Sequence, residues 1–223
     1  MTIAPARPAP PPARARIMGI LNVTPDSFSD GGQFDRLYAA ITHALAMAEA
    51  GADIIDIGGE STRPGHQRID ADTEIARVIP VIRDLRPRLD LPLSIDTSKA
   101  AVAERALTAG VSILNDVWGL QRDPDIASVA AAFDVETIVM HNRDTIDGSI
   151  DIFDDLRRFF DASIAAARRA GLAEHRLVLD PGIGFGKTLD QNLALIKGID
   201  RIKALGYPIL IGLSRKSMIG QLL

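Results

Sequence analysis

From Ile17 onward the chain repeats one pattern: a short apolar run, a turn rich in Gly, Asp, Ser and Thr, then an amphipathic stretch with helical spacing. The apolar runs are Ile17–Leu21, Asp53–Ile57, Leu93–Ile95, Ser112–Leu114, Thr137–Met140, Leu177–Leu179 and Ile209–Gly212. Helices are predicted between them over Arg36–Ala50, Thr73–Leu89, Ser98–Ala109, Asp125–Ala132, Phe153–Ala170 and Leu189–Leu205. Gly51, Gly110, Gly171 and Gly206 follow four of these, where a helix end favours a residue that tolerates positive φ. The runs are continuous rather than alternating, as in parallel strands covered on both faces.

Strands alternating with helices admit an open doubly wound sheet or a (β/α)8 barrel. An open sheet gathers its ligand groups at one switch point, whereas a barrel draws them from the C-terminal ends of many strands. Here Asn22, Asp56, Asp96, Asn115, His141 and Asp180 each stand at or near the end of an apolar run, with Lys216 beyond the seventh. That ring of polar ends favours the α/β TIM barrel. Such a barrel typically takes ~250 residues, and the chain from Ile17 supplies 207. A barrel lacking its eighth strand and helix is the expectation.

Residues 1–16, rich in proline, alanine and arginine, are expected to form a disordered tail ahead of one domain over 17–223. At 47% apolar the domain has enough material for a core, and a net charge of −4 points to neither nucleic acid nor membrane. No apolar run reaches the length of a membrane helix. The chain has no cysteine, which removes disulfide and thiolate chemistry and suits a reducing cytoplasm.

Two loops carry the first candidate chemistry. Gly19-Ile-Leu-Asn-Val-Thr-Pro-Asp-Ser-Phe-Ser-Asp-Gly-Gly32 reads as a mobile lid or an ordinary polar connection, and Asn22 at its root offers a neutral oxygen to Mg²⁺. In Asp56-Ile-Gly-Gly-Glu-Ser-Thr-Arg-Pro-Gly65, Arg63 is either a carboxylate clamp or a solvated charge. Further motifs follow in order: Ser94-Ile-Asp-Thr-Ser-Lys99, Ile113-Leu-Asn-Asp116, Val139-Met-His-Asn142, Leu179-Asp-Pro-Gly-Ile-Gly-Phe-Gly-Lys187 and Gly212-Leu-Ser-Arg-Lys-Ser-Met-Ile-Gly220. The stretch from Pro181 to Thr188 fits neither a phosphate-binding P-loop, which needs glycine where Pro181 stands, nor a dinucleotide fingerprint. His66, His141 and His175 lack the neighbours of a zinc site or a triad.

From Ile17 to its last residue the chain resembles the dihydropteroate synthases. The resemblance implies a pterin-binding barrel that joins the pyrophosphate ester of a hydroxymethyl dihydropterin to p-aminobenzoate, with Mg²⁺ on the leaving pyrophosphate. It implies pterin contacts from Asp96, Asn115, Met140, Asp180, Gly212 and Lys216, with Ile20 as a second apolar wall. It implies an aminobenzoate pocket of Thr62, Arg63, Pro64, Phe185 and Ser214 with Lys216, a metal ligand in Asn22, and catalytic roles for Lys216, Asp96 and Asn22. The family's Arg and His on an eighth strand, which grip the pyrophosphate, have no counterpart here. The chemistry is coherent: one carboxylate accepts two parallel N–H donors from the amidine-like edge of a pterin, which makes Asp180 the natural anchor. Phe185, between two glycines, reads as a stacking platform or a buried cap. A cytoplasmic homodimer with small-molecule substrates and sulfonamide sensitivity completes the expectation. Two other readings stand beside it, a non-catalytic pterin-binding homologue and a pterin-dependent corrinoid methyltransferase.

Overall fold

A computed structural model describes residues 14–24, 33–61, 68–214, 216 and 220, with the side chains of 33–35 set aside. The chain divides into two compact units, one ending at Asn115 and the other beginning at Asp116.

The first unit runs β1 (Met18–Asn22), α1 (Gln33–Glu49), β2 (Ile54–Gly58), α2 (Ala71–Leu85), β3 (Leu93–Asp96), α3 (Ala100–Thr108) and β4 (Ile113–Asp116). Each strand pairs in parallel with the next, in one register: Asn22 lies beside Gly58, Gly58 beside Asp96, and Asp96 beside Asn115. Two residues earlier, Ile20, Asp56, Ser94 and Ile113 form a second row on the same face. The opposite face carries Leu21, Ile55, Ile57, Ile95 and Leu114, all without solvent exposure. Gly19 shares that face, and a Cβ there would stand 2.9 Å from Met47 Sδ on α1. Helices therefore cover the apolar face, and the polar row at the strand ends points the other way. Arg14 closes the strand starts with a two-pronged bond to Asp53, at 2.6 and 2.8 Å, while Asp53 also accepts from Ile17 N. The expected disordered tail falls on residues 1–13, outside the described residues, and on Arg14–Arg16, which lie within them.

The second unit runs α4 (Ile126–Phe133), β5 (Glu136–Met140), α5 (Ile152–Ala170), a single 3-10 turn, β6 (Leu177–Asp180), α6 (Leu189–Lys197) and α7 (Ile199–Lys203). β5 and β6 are parallel with Met140 beside Asp180. The expected C-cap glycines all adopt positive φ, from 83° at Gly171 to 106° at Gly110.

Two expectations are corrected. The seventh strand, Ile209–Gly212, is a one-residue bridge: Leu179 donates to Pro208 O at 2.9 Å and accepts from Leu210 N at 2.9 Å, and the pairing stops there. Pro208 has no N–H to extend the ladder backward, and β6 ends at Asp180. The last helix, predicted unbroken over Leu189–Leu205, splits at Gly198, which has φ −97° and ψ 24°. Phe153 of α5 is the wedge, since a Cβ on Gly198 would meet its Cζ at 2.4 Å, and the Arg201 guanidinium covers that ring at 3.7 Å. Periodicity along one helix carries no sign of a ring arriving from another.

Alanine favours helix over glycine by about 1 kcal/mol, yet Gly198→Ala is expected to lower stability by about 1–3 kcal/mol through overpacking against Phe153. Phe153→Leu in the same chain should return part of that loss, read from urea unfolding midpoints.

Candidate active site

The row at the ends of β1–β4 is built around one missing side chain. A Cβ on Gly58 would lie 3.6 Å from Asp96 Oδ2 and 3.8 Å from Asn22 Oδ1, so glycine leaves a niche flanked by two hard oxygens. Asn115 is buried, and its Nδ2 donates to Asp56 Oδ2 at 3.0 Å. That bond fixes the plane of the amide. Asp56 is fully enclosed one layer down. Burial pushes its carboxyl up, against the opposing pull of Ser94 and Asn115. Ser94 is close enough to exert that pull, yet neither Asp56 Oδ1 nor Ser94 Oγ makes a hydrogen bond of regular geometry. The neighbouring Asp116 serves the fold instead: it accepts from Trp118 N at 2.9 Å and Leu120 N at 2.7 Å, and burial raises its carboxyl to about 6.

The loop after β2 is pinned at its base. Lys99, at the start of α3, bridges the carboxylates of Glu60 and Glu74, and Arg77 of α2 donates to Gly59 O at 2.8 Å. Gly59 packs so closely on α2 that a Cβ would stand 2.7 Å from Val78 and 2.9 Å from Glu74. Burial alone would lower the Lys99 ammonium, but the two carboxylates outweigh it and hold the charge above its usual range.

In the second unit Met140 and Asp180 end adjacent strands, both buried. Asp180 Oδ1 accepts from Gly182 N at 2.8 Å. The following loop turns on Gly182, Gly184 and Gly186, with φ of 64°, 82° and 59°. These positions belong to glycine twice over, since a Cβ on Gly182 would meet His141 O at 2.0 Å and one on Gly186 would meet Arg143 O at 2.4 Å. The half-buried Phe185 projects from this loop, and the Lys216 ammonium sits 4.1 Å from its ring centroid. Burial lowers Lys216, with Asp180 pulling the other way.

Two buried groups complete this half. Lys187 donates to the carbonyls of His141, Gly182 and Phe185 at 3.2, 2.8 and 2.9 Å. Burial brings its ammonium down to about 7, with Asp180 and Asp155 opposing and Arg143 and Lys216 assisting. His141 lies 3.1 Å from Asp155 Oδ2 through Nε2 and edge-on to Phe159 at 4.9 Å. Burial and then the Lys187 charge lower it to about 4, so it is a neutral imidazole at neutral pH.

The expected residues thus fall into groups. Asn22, Asp96 and Asn115 share one register row, while Met140 and Asp180 share another. Phe185 and Lys216 are in contact. Ile20 is half-exposed, Gly212 is half-buried and Ser214 is exposed. Thr62, Arg63 and Pro64 lie outside the described residues. Asp56, Lys187, His141 with Asp155, and Lys99 with its two glutamates were assigned no role from sequence. A period-two signal was present only beside Asp56, where polar residues recur at Ser94 and Asp96, the pair that lies next to Asp56 and Gly58.

Comparison with known proteins settles the family. The profile described as "Pterin binding enzyme" matches residues 18–223. A dihydropteroate synthase of Clostridium beijerinckii is 51% identical over 207 residues, covering 93% of this chain and 77% of its own length. The chain belongs to the dihydropteroate synthase family. A solved dihydropteroate synthase from Clostridium difficile, in the presence of pteroic acid, superposes with a TM-score of 0.91 at 54% identity, over 94% of this chain and 80% of that one. The Xanthomonas albilineans dihydropteroate synthase with 4-aminobenzoic acid gives a TM-score of 0.90 at 45% identity, over 94% of this chain and 77% of that one. The barrel read from the ring of polar strand ends, of the pterin-binding type that the resemblance implied, is therefore the fold, and the synthase reading stands over its two alternatives.

The position of Lys187 has a pH signature. Its folded value near 7 lies below the ordinary 10.5, so between those values the unfolded chain holds a proton that the folded chain lacks. Stability then rises with pH across that window, by up to about 1.4 kcal/mol per pH unit. The rise is expected in the native chain and missing from Lys187→Met, measured as the shift of the urea midpoint between pH 7 and 9.

Proposed function

We propose that the groups described above divide the work of a dihydropteroate synthase, a transferase of folate biosynthesis. Asp96 and Asn115 in the first unit, and Asp180 and Met140 in the second, are pterin contacts in this reading, and Phe185 with Lys216 receives the aminobenzoate. The supporting observation is the common register that sets Asn22, Asp96 and Asn115 side by side at the ends of adjacent strands.

The roles follow from the chemistry of each group. Asp180 is held by the Gly182 N–H and presents a carboxylate to the two N–H donors on the amidine edge of the pterin. Asn115, fixed by Asp56, offers an amide to the mixed donor and acceptor edge. Met140 contributes an apolar surface for the flat ring. Lys216, desolvated over Phe185, donates to the pterin and brings positive charge toward the substrates' anionic groups. In the reaction the amine nitrogen forms a bond to the methylene carbon, the carbon–oxygen bond breaks, and pyrophosphate departs with the electron pair. The amine gives its proton to water. The site chiefly positions a weak neutral nucleophile and stabilises charge that moves onto the leaving group.

The niche beside Gly58 suits a magnesium ion. Asn22 supplies a neutral oxygen there, with Asp96 close by, and Mg²⁺ commonly keeps waters and takes its remaining ligands from substrate phosphates. No cluster of three His, Cys, Asp or Glu occurs among the described residues, which fits an ion shared with substrate better than a resident cage. When bound, the ion neutralises pyrophosphate charge.

We place the enzyme in the cytoplasm as a homodimer. No helix among the described residues is long and apolar enough to cross a membrane, and the chain lacks cysteine. Sedimentation reads the oligomeric state directly.

Purified chain, Mg²⁺, the pterin pyrophosphate and p-aminobenzoate are expected to yield dihydropteroate, and a sulfonamide should suppress it competitively with aminobenzoate. Asp180→Asn keeps an acceptor for Gly182 N but sets an amide N–H against pterin donors. It is expected to reduce kcat/KM by about 10²–10³-fold with an unaltered circular dichroism spectrum. Undiminished turnover in that variant would remove Asp180 from the pterin site.

A further inference from the structure

Phe185 is carried by a loop without regular structure, so no strand ladder or helix sets the direction of its ring. Side chains bonded to the main chain must do so. Asp180 accepts from Gly182 N at 2.8 Å, and Asn192 of α6 accepts from Gly184 N at 2.8 Å. Lys187 contributes more than either. It is 5% exposed, and its three N–H donors meet three carbonyls, of His141 at the end of β5 and of Gly182 and Phe185 in the loop itself.

We propose that Lys187 is a positioning residue of the aminobenzoate subsite, acting as a clamp that draws the main chain of Gly182 and Phe185 onto the end of β5 and so aims the Phe185 ring at Lys216. It does not touch the reacting atoms. The two glycines that precede Phe185 show how close the clamped segments lie. A Cβ on Gly182 would be 2.0 Å from the same His141 carbonyl and 3.2 Å from Lys187 Nζ, and one on Gly184 would be 3.0 Å from Lys216 Cδ. The ammonium thus fills the gap between two stretches of backbone and satisfies acceptors that neither stretch can satisfy for the other. A buried lysine used only as packing needs its stem alone. Desolvation of the head, which brings it down to about 7, is the physical cost of placing a cation there, and it is offset only where the head holds something in place.

This inference rests on Phe185 and Lys216 being the aminobenzoate subsite, and the experiment separates the two. Native chain, Lys187→Met and Lys187→Gln are compared by steady-state kinetics and by amide hydrogen exchange. Lys187→Met, which keeps the stem and loses the donors, is expected to raise KM for p-aminobenzoate by about tenfold or more, with a smaller change in KM for the pterin pyrophosphate. Lys187→Gln, with a two-donor head, should raise it less. The Gly184 and Phe185 amides, bonded to Asn192 Oδ1 and Gly182 O, should exchange about tenfold faster in Lys187→Met, while Val178 in β6 exchanges as in the native chain. A lowered melting temperature with unaltered KM for aminobenzoate, native exchange at Phe185, or a larger KM from Gln than from Met overturns the clamp. Absence of turnover in the native chain would count against the synthase assignment instead, and the exchange comparison would still judge the clamp.

Discussion

Parallel pairing in a fixed register is the constraint on which the site depends. Side chains alternate between the two faces of a strand, so a shift of one residue would exchange the polar row for the apolar one. In β1 to β4 that exchange would turn Asp56, Asp96 and Asn115 onto the helices and Leu21, Ile57 and Leu114 toward the ligand face. Burial of the apolar row, roughly 1.5–3 kcal/mol for each side chain of this size, therefore selects the register. The polar row at the strand ends is carried along by the same choice. Core and site are two faces of one decision.

The polar row would be unfavourable on its own, and the structure shows how it is tolerated. Buried carboxylates are held by N–H donors: Asp180 by Gly182, Asp116 by Trp118 and Leu120, and Asp56 by the Asn115 amide. Cations are held by carbonyls or paired carboxylates, Lys187 by the former and Lys99 by the latter. Where a group lacks a complement, as at Asp56 Oδ1, the carboxyl responds by favouring its neutral form. The members of the row proposed to meet substrate are thus supported from beneath, as Asn115 is by Asp56.

Much of this was legible in the chain. The strand and helix order, the glycine caps and the polar strand ends all follow from local patterns, and local patterns are what a sequence displays. The pairing of Asn115 with Asp56 spans 59 residues and that of Lys187 with His141 spans 46, so neither has a local signature. The split at Gly198 has the same origin, because its cause is a ring on α5. The shortening of the seventh strand was half visible: Pro208 was in plain sight, but only the register with Leu179 shows which donor it removes. Apolar runs read as continuous conceal an alternation that begins two residues before each strand end. That is why the chain shows Asp56 among the polar strand ends without showing that it lies one layer beneath Asn115.

The loop over 181–187 sets a limit on change over evolutionary time. With carbonyls of the 141–143 segment against the α-carbons of Gly182 and Gly186, any replacement there displaces main chain, and those two positions are closed to other side chains. Phe185 lies between them in sequence and is half-buried, with its side chain against a flexible lysine. Change in this loop is therefore channelled to positions such as Phe185, where a side chain, rather than the backbone, meets a neighbour that can yield.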